Sequence, residues 1–290
     1  MHYEPKNIVI TRRQISQAAL EKLAIANERF AGRRRDGRRV IMRRCLLAGL
    51  DFRNMCFAQA HFLGCDFTGA DMTYSNFSRA KLFASKFEGA NLTRANFERA
   101  DLRAVVFDKA VLKQTSFDRA DLRKGSFIVG EDETLAVTRE LLSSFRDADL
   151  TRSNLSHAHL KDVDFSGATL DATNLEGADL RGSRFIGAEF MGVCLTNANL
   201  LESDVRGASF TDMDLSSAGV VGAPAEPIDG ETLNHILIRH ERWVDSGGKV
   251  GARADLSAQN LSGLCLSDRN LAALSFATSL LPAGDFAGAV

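Results

Sequence analysis

The chain predicts an all-β solenoid: very short strands wound into a coil with four flat walls, a quadrilateral β-helix of about ten coils with flanking and inserted amphipathic α-helices. Three observations carry that expectation. From Phe52 to Phe127 every fifth residue is Phe, Leu or Met, sixteen positions without a break. A period of five fits neither the 3.6 of a helix nor the alternation of a long strand, but it fits a very short strand followed by a corner. Two residues before many of these centres stands something small, such as Ala60, Cys65, Ala70, Ala80 or Ala90. Residues two apart on a strand point the same way, so both face inward. Finally, Phe57, Phe67, Phe77, Phe87, Phe97, Phe107, Phe117 and Phe127 alternate with other centres, which are leucines from Leu82 to Leu122. Four five-residue sides put Phe on Phe and Leu on Leu, giving uniform ladders whose rings can stack with an offset. Three sides would alternate the two up every wall.

The elements follow in order. Residues 1–39 read as a helix and a basic loop. Thr11-x-x-Gln14 has the form of a capping box before the stripe Ile15, Ala19, Leu23, Ala26 and Phe30, and Gly32 stops the helix. Arg33, Arg34, Arg35, Arg38 and Arg39 follow, and Val40 and Met42 enter the first repeat block, 40–127. The centres Phe127 and Phe145 are 18 residues apart, so segment 128–144 must leave the shaft. It carries Glu131, Asp132 and Glu133, then a short helix from Thr134 to Ser144 that includes Arg139. Loops on rigid scaffolds often carry function, and they equally often are tolerated insertions. The frame resumes in block 145–222, from Leu150 to Val220.

Segment 223–253 reads as a linker with Pro224 and Pro227, an N-cap at Asp229, and a helix with the stripe Leu233, Ile236, Leu237, His240, Trp243 and Val244, ended by Gly247-Gly248. Glu28-Arg29-Phe30 aligns with Glu241-Arg242-Trp243, and Arg39-Val40 with Arg253-Ala254, so the plan of helix, loop and first coil is duplicated. Phe30 and Trp243 are then equivalent packing residues, on helices that plug or flank an end of the apolar shaft. Residues 254–290 hold seven units, under two coils, with Gln259 and Arg269 at inward places. So short a stack must lean on the main shaft or on a second subunit, which points to a homodimer through the C-terminal segment. Forty centres in ten coils at ~4.8 Å make a rod roughly 45–50 Å long.

Ala70-Asp71-Met72, Ala90-Asn91-Leu92, Ala100-Asp101-Leu102, Ala120-Asp121-Leu122, Ala178-Asp179-Leu180 and Ala198-Asn199-Leu200 resemble the A(D/N)LXX unit of the pentapeptide-repeat family. The resemblance implies a right-handed sense for the coil. Some members of that family are dimeric rods that bind DNA gyrase or topoisomerase IV in place of DNA, so it also implies one functional reading.

Composition excludes other classes. The 290 residues are 45% hydrophobic and 25% charged with a net charge of −1, and no apolar run approaches the length of a membrane span. Five cysteines at scattered spacings fit a reduced cytoplasm rather than a disulfide framework. His157 and His159 lie two apart, yet nothing completes a metal-ligand spacing, and solvated turn histidines are the competing reading. Cys65 lies at an inward place; Cys56, Cys194 and Cys265 lie at outward ones without an activating partner. No nucleophile elbow, phosphate loop or dinucleotide fingerprint is present, and a shaft packed with Leu and Phe holds no substrate. Neither an enzyme nor a cofactor is expected.

Binding is what a rigid rod offers. One reading is a protein-interaction scaffold whose walls, insert or helices recognise a protein partner. The other is DNA mimicry, favoured by block 145–222, which has 12 acidic and 6 basic residues. Against it, residues 1–46 hold 12 basic and 4 acidic residues, and 47–127 hold 12 basic and 9 acidic. A phosphate-like surface should not be positive over half its length. The seven arginines from Arg33 to Arg44 raise nucleic-acid or acidic-membrane contact, weighed against a solvated or acid-paired loop.

Overall fold

The computed structural model describes residues 7–129, 137–205, 208–211 and 230–254, with 256, 266, 267, 269–274 and 289 beyond them. The coil is visible in its register. Parallel bridges join each residue to one 20 positions on, Asp51 to Asp71, Cys56 to Asn76, His61 to Lys81 and Asp66 to Lys86. Four such pairs per turn make four walls. One column runs through nine levels, Gln14, Leu46, Asp66, Lys86, Val106, Ser144, Asp164, Arg184 and Asp204. At ~4.8 Å per level these described coils span about 38 Å.

Each five-residue side is held the same way. The central residue donates its N–H to the next coil, as Phe57 does to the Asn76 carbonyl at 2.7 Å, and its own carbonyl accepts the turn bond from Ala60 at 3.1 Å. The turn needs one left-handed residue per side, so φ is positive at Gly64, Gly69, Tyr74, Arg79, Ala84 and onward at five-residue intervals. Inside, Phe57, Phe67, Phe77, Phe87, Phe97, Phe107 and Phe117 are fully buried. Phe67, Phe87, Phe107, Phe145, Phe165 and Phe185 stack as one ladder, with centroids 4.6 to 5.0 Å apart. Phe57, Phe77, Phe97 and Phe117 form the second, at 5.4 to 5.6 Å.

The backbone of Phe127 lies on a strand outside the coil's register, which corrects the place expected for it in the ladder. Phe107 stacks directly on Phe145, and the register across the insertion is 38, as in Val106 to Ser144. The chain leaves the shaft at Gly125, where a β-carbon would meet the Phe83 ring at 2.5 Å. It forms an antiparallel hairpin of β4 (Gly125–Val129) and β5 (Val137–Leu141), with Phe127 opposite Arg139. The helix expected from Thr134 to Ser144 is thus a strand over β5.

The N-terminal end also departs from expectation. Asn7–Thr11 is not head but wall: this strand, β1, pairs in parallel with β2 (Arg39–Arg43), Ile8 opposite Val40, and β2 pairs with β3 (His61–Leu63). Helix α1 (Gln17–Ala31) is inserted within that first coil. Its N-cap is Ser16, whose side chain accepts from the Ala19 N–H at 3.3 Å, rather than Thr11, which pairing draws into the strand. Leu20, Leu23 and Ala24 join the shaft core. The polar side chains of α1 replace a missing strand. Gln17 bonds both the N–H and the carbonyl of Asp51, and buried Asn27 accepts from the Val40 N–H and donates to the Ala58 carbonyl. These edge groups would otherwise be orphaned.

Helix α2 (Gly230–Asp245) repeats the plan. The buried His240 ring accepts from the Ala254 N–H at 3.1 Å and lies 3.1 Å from the Ala272 carbonyl, the places Asn27 serves at Val40 and Ala58. Gly37 presses on Phe30 and Gly251 on Trp243, each where a β-carbon would collide with helix backbone. Leu233, Leu237, Leu256 and Leu266 form an apolar cluster of their own, with Ile236, Leu271 and Leu274 against it. Asp229, Gln259 and Cys265 lie outside the described residues. Two further strands, β6 (Glu189–Met191) and β7 (Ser209–Thr211), pair in parallel.

Candidate interaction surface

The outer walls carry a local rule for charge. Where Asp precedes a centre and Arg follows it, the two close on one another: Asp51 with Arg53 at 2.6 Å, Asp101 with Arg103 at 2.8 Å, Asp121 with Arg123 at 2.8 Å and Asp179 with Arg181 at 2.7 Å. The Arg53 hydrogen bond holds the Asp51 carboxyl below its ordinary range, and the Arg181 hydrogen bond does the same for Asp179. Such arginines are neutralised where they stand.

Arg43 breaks the rule because Ile41 occupies the carboxylate's place. The pairing of β1 with β2 sets Arg12 next to Arg44, so Arg12, Arg43 and Arg44 gather at one end of the wall. All three are exposed and none has a described ion pair. Nearby His61 is held below its usual value, first by burial and then by Lys81, Arg39 and Arg43, so it stays neutral at neutral pH. Beside the arginines a cavity of about 590 Å³ runs over Leu63 and Phe83 to Leu141 at the base of the hairpin. Both Leu63 and Phe83 are half-buried.

The arginines singled out in the sequence divide between two places. Arg33, Arg34, Arg35 and Arg38 are exposed on the loop after α1, which the Arg29–Asp36 pair braces at 2.7 Å. Arg39 lies over the Phe30 ring, 4.8 Å from its centroid. Four residues of extended strand, about 13 Å, separate it from Arg43. Trp243 is half-buried, its ring 6.0 Å from that of His240. Glu131, Asp132 and Glu133 lie outside the described residues, and Arg139 is placed on β5. Sequence reasoning missed Arg12 and the groove. The signal was there in Asn7-Ile-Val-Ile-Thr11, whose β-branched run reads as a strand able to pair with β2.

Burial pushes the Cys65 thiol up to about 12. His157 sits 3.7 Å from Asp118 at an exposed corner, and His159 lies in the column between Asp121 and Asp179. Among the described residues no group of His, Cys, Asp and Glu can hold a metal, and no helix is long and apolar enough to cross a membrane.

Residues 40–117 match the family described as "Pentapeptide repeat region", and 143–182, 164–200 and 173–212 match "Pentapeptide repeats (8 copies)". Together these cover about half of the chain, which belongs to the pentapeptide-repeat proteins. Among solved structures it is similar to QnrB1, a plasmid-mediated fluoroquinolone resistance protein, at 17% identity and a TM-score of 0.39, over 81% of this chain and 97% of that one. It is similar also to HetL of the cyanobacterium Nostoc, involved in heterocyst differentiation regulation, at 21% identity and a TM-score of 0.31, over 74% of this chain and 88% of that one. A third is a pentapeptide repeat protein of the Arabidopsis thaliana thylakoid lumen, at 26% identity and a TM-score of 0.28, over 52% and 77%. No curated protein matches the sequence.

Proposed function

We propose that the protein is a non-enzymatic, rigid scaffold that docks a protein partner on its outer walls, with the coil wound right-handed as its family's is. The observation that carries this reading is the filled interior. From Phe52 to Leu122 the repeat centres are fully buried, so the shaft has no room for a substrate and only its exterior can recognise anything. The four described cysteines are free, in keeping with a reducing, cytoplasmic setting. Chemical cross-linking of the full chain in lysate of its own cells, followed by mass spectrometry, tests the reading. A protein cross-linked at defined wall lysines supports it, and cross-links no richer than those of the denatured chain defeat it. A second copy of the chain, touching through the C-terminal segment, belongs to the same proposal. Light scattering of a chain ending near Val221 should then show a smaller assembly, and an unchanged subunit number defeats it.

DNA mimicry towards a type II topoisomerase is the second reading, favoured by the acidic excess of 145–222. Against it, residues 1–127 carry a basic excess, and within the acidic block Asp149 is closed by Lys113 at 2.9 Å and Asp179 by Arg181 at 2.7 Å. Inhibition of gyrase supercoiling across a concentration series separates the two.

A further inference from the structure

We infer that the groove between the start of the first wall and the base of the β4–β5 hairpin docks an acidic peptide segment of a protein partner, anchored by an apolar side chain. This rests on the scaffold reading and gives it a place and a chemistry.

Charge is the first support. Arg12, Arg43 and Arg44 bring three exposed guanidiniums to one spot where no described carboxylate pairs with them, while arginines farther along the wall are closed by Asp101, Asp121 and Asp179. The reason is local: Ile41 stands where those aspartates stand. Unpaired guanidiniums beside a low-dielectric surface attract carboxylates and bind them bidentately. Glu140 at the hairpin base does not compete, since Lys124 holds it at 3.1 Å.

The floor is the second support. Leu63 and Phe83 are successive rungs of one column, ~4.8 Å apart, and both line the groove with Leu141 facing them from the hairpin. Gly125 lets the hairpin depart tightly over Phe83, whose ring also has the Arg103 guanidinium 5.8 Å from its centroid and stays half-buried. An extended peptide crossing the coils meets guanidiniums at one end and apolar rungs at the other. Nucleic acid fits this surface poorly, because it needs a run of free cations along the wall and offers no aliphatic anchor.

The test uses the full chain and a short fluorescein-labelled peptide of glutamates carrying one phenylalanine and one leucine, followed by fluorescence anisotropy at physiological salt. Binding is expected, weakened about tenfold or more by Arg43→Glu with Arg44→Glu, the cost of losing one or two charge-assisted contacts. Because both arginines are exposed, these variants should melt as the parent does. Replacing the peptide's phenylalanine and leucine by serine should weaken binding by a similar factor, which probes the floor without touching the fold. Absent binding, binding indifferent to the peptide's apolar residues, or tighter binding of a DNA duplex or anionic vesicle than of the peptide would each overturn the inference. If cross-linking still finds a partner on another wall, the groove alone is refuted; if neither experiment finds binding, the scaffold reading falls with it.

Discussion

At the scale of single residues the coil is a set of repeated local solutions. Where an Asp or Asn precedes a centre it can accept the N–H two residues on, as Asp66 does from Thr68 at 3.0 Å and Asn91 from Thr93 at 3.1 Å, and so shape that side's turn. Left-handed corners are tolerated at arginine, lysine and alanine, but a β-branched side chain is strained there whatever the space around it. Gly89 has φ of +62° and open space about it, so Gly89→Val isolates that strain and should cost about 1–2 kcal/mol in urea titration. The carboxylates add a pH dependence. Asp51 and Asp179 sit below the ordinary 3.8, so their contribution is complete above that value and is lost as pH falls through the folded-state pKa. The urea midpoint should therefore drop on acidification below 3.8, and Arg181→Gln should flatten that drop.

At the scale of elements, the helices do the work of absent strands. Asn27 meets the Val40 N–H and the Ala58 carbonyl at the open start of the shaft, and His240 meets Ala254 and Ala272 in the same way. Asn27→Leu fills the same volume but orphans a buried donor and acceptors, which should cost about 2–4 kcal/mol, while Asn27→His should recover a good part of it. Thermal melts of the two variants check the prediction, and equal losses would contradict the shared role. The hairpin is an element of another kind, hung outside the register without breaking it. Ser144 and Arg146 bond Asp108 across the gap, at 2.5 Å and 2.6 Å, tying the coil before the insertion to the coil after it.

Over the whole molecule, stability is a sum of neighbouring coils. Phe107 stacks on Phe87 at 4.9 Å and on Phe145 at 5.0 Å, so it joins the two repeat blocks. Phe107→Ala should cost about 3–5 kcal/mol and split unfolding, followed by circular dichroism, into two steps. Among the described residues the C-terminal cluster holds four buried leucines. Trp243, the single tryptophan, reports on α2 alone, so its fluorescence should change at lower urea than the circular dichroism of the shaft. Coincident transitions would show the two cores to be one cooperative unit.

How much of this was legible beforehand follows from the range of the forces involved. The Phe and Leu ladders, four walls and twin helices were readable because each rests on a pattern the sequence repeats, so every copy restates the rule. The partnership of Asn27 with Val40, the displacement of Phe127 from the coil's register, and the meeting of Arg12 with Arg43, Arg44 and Leu141 were not. Those depend on which strand edge lies free and where an inserted ribbon returns, and such matters are decided only when distant segments compete for the same backbone hydrogen bonds. Even the unpaired charge of Arg43 illustrates the division: the missing aspartate at Ile41 is written in the chain, but the groove that gives the charge a use exists only once the coil is closed.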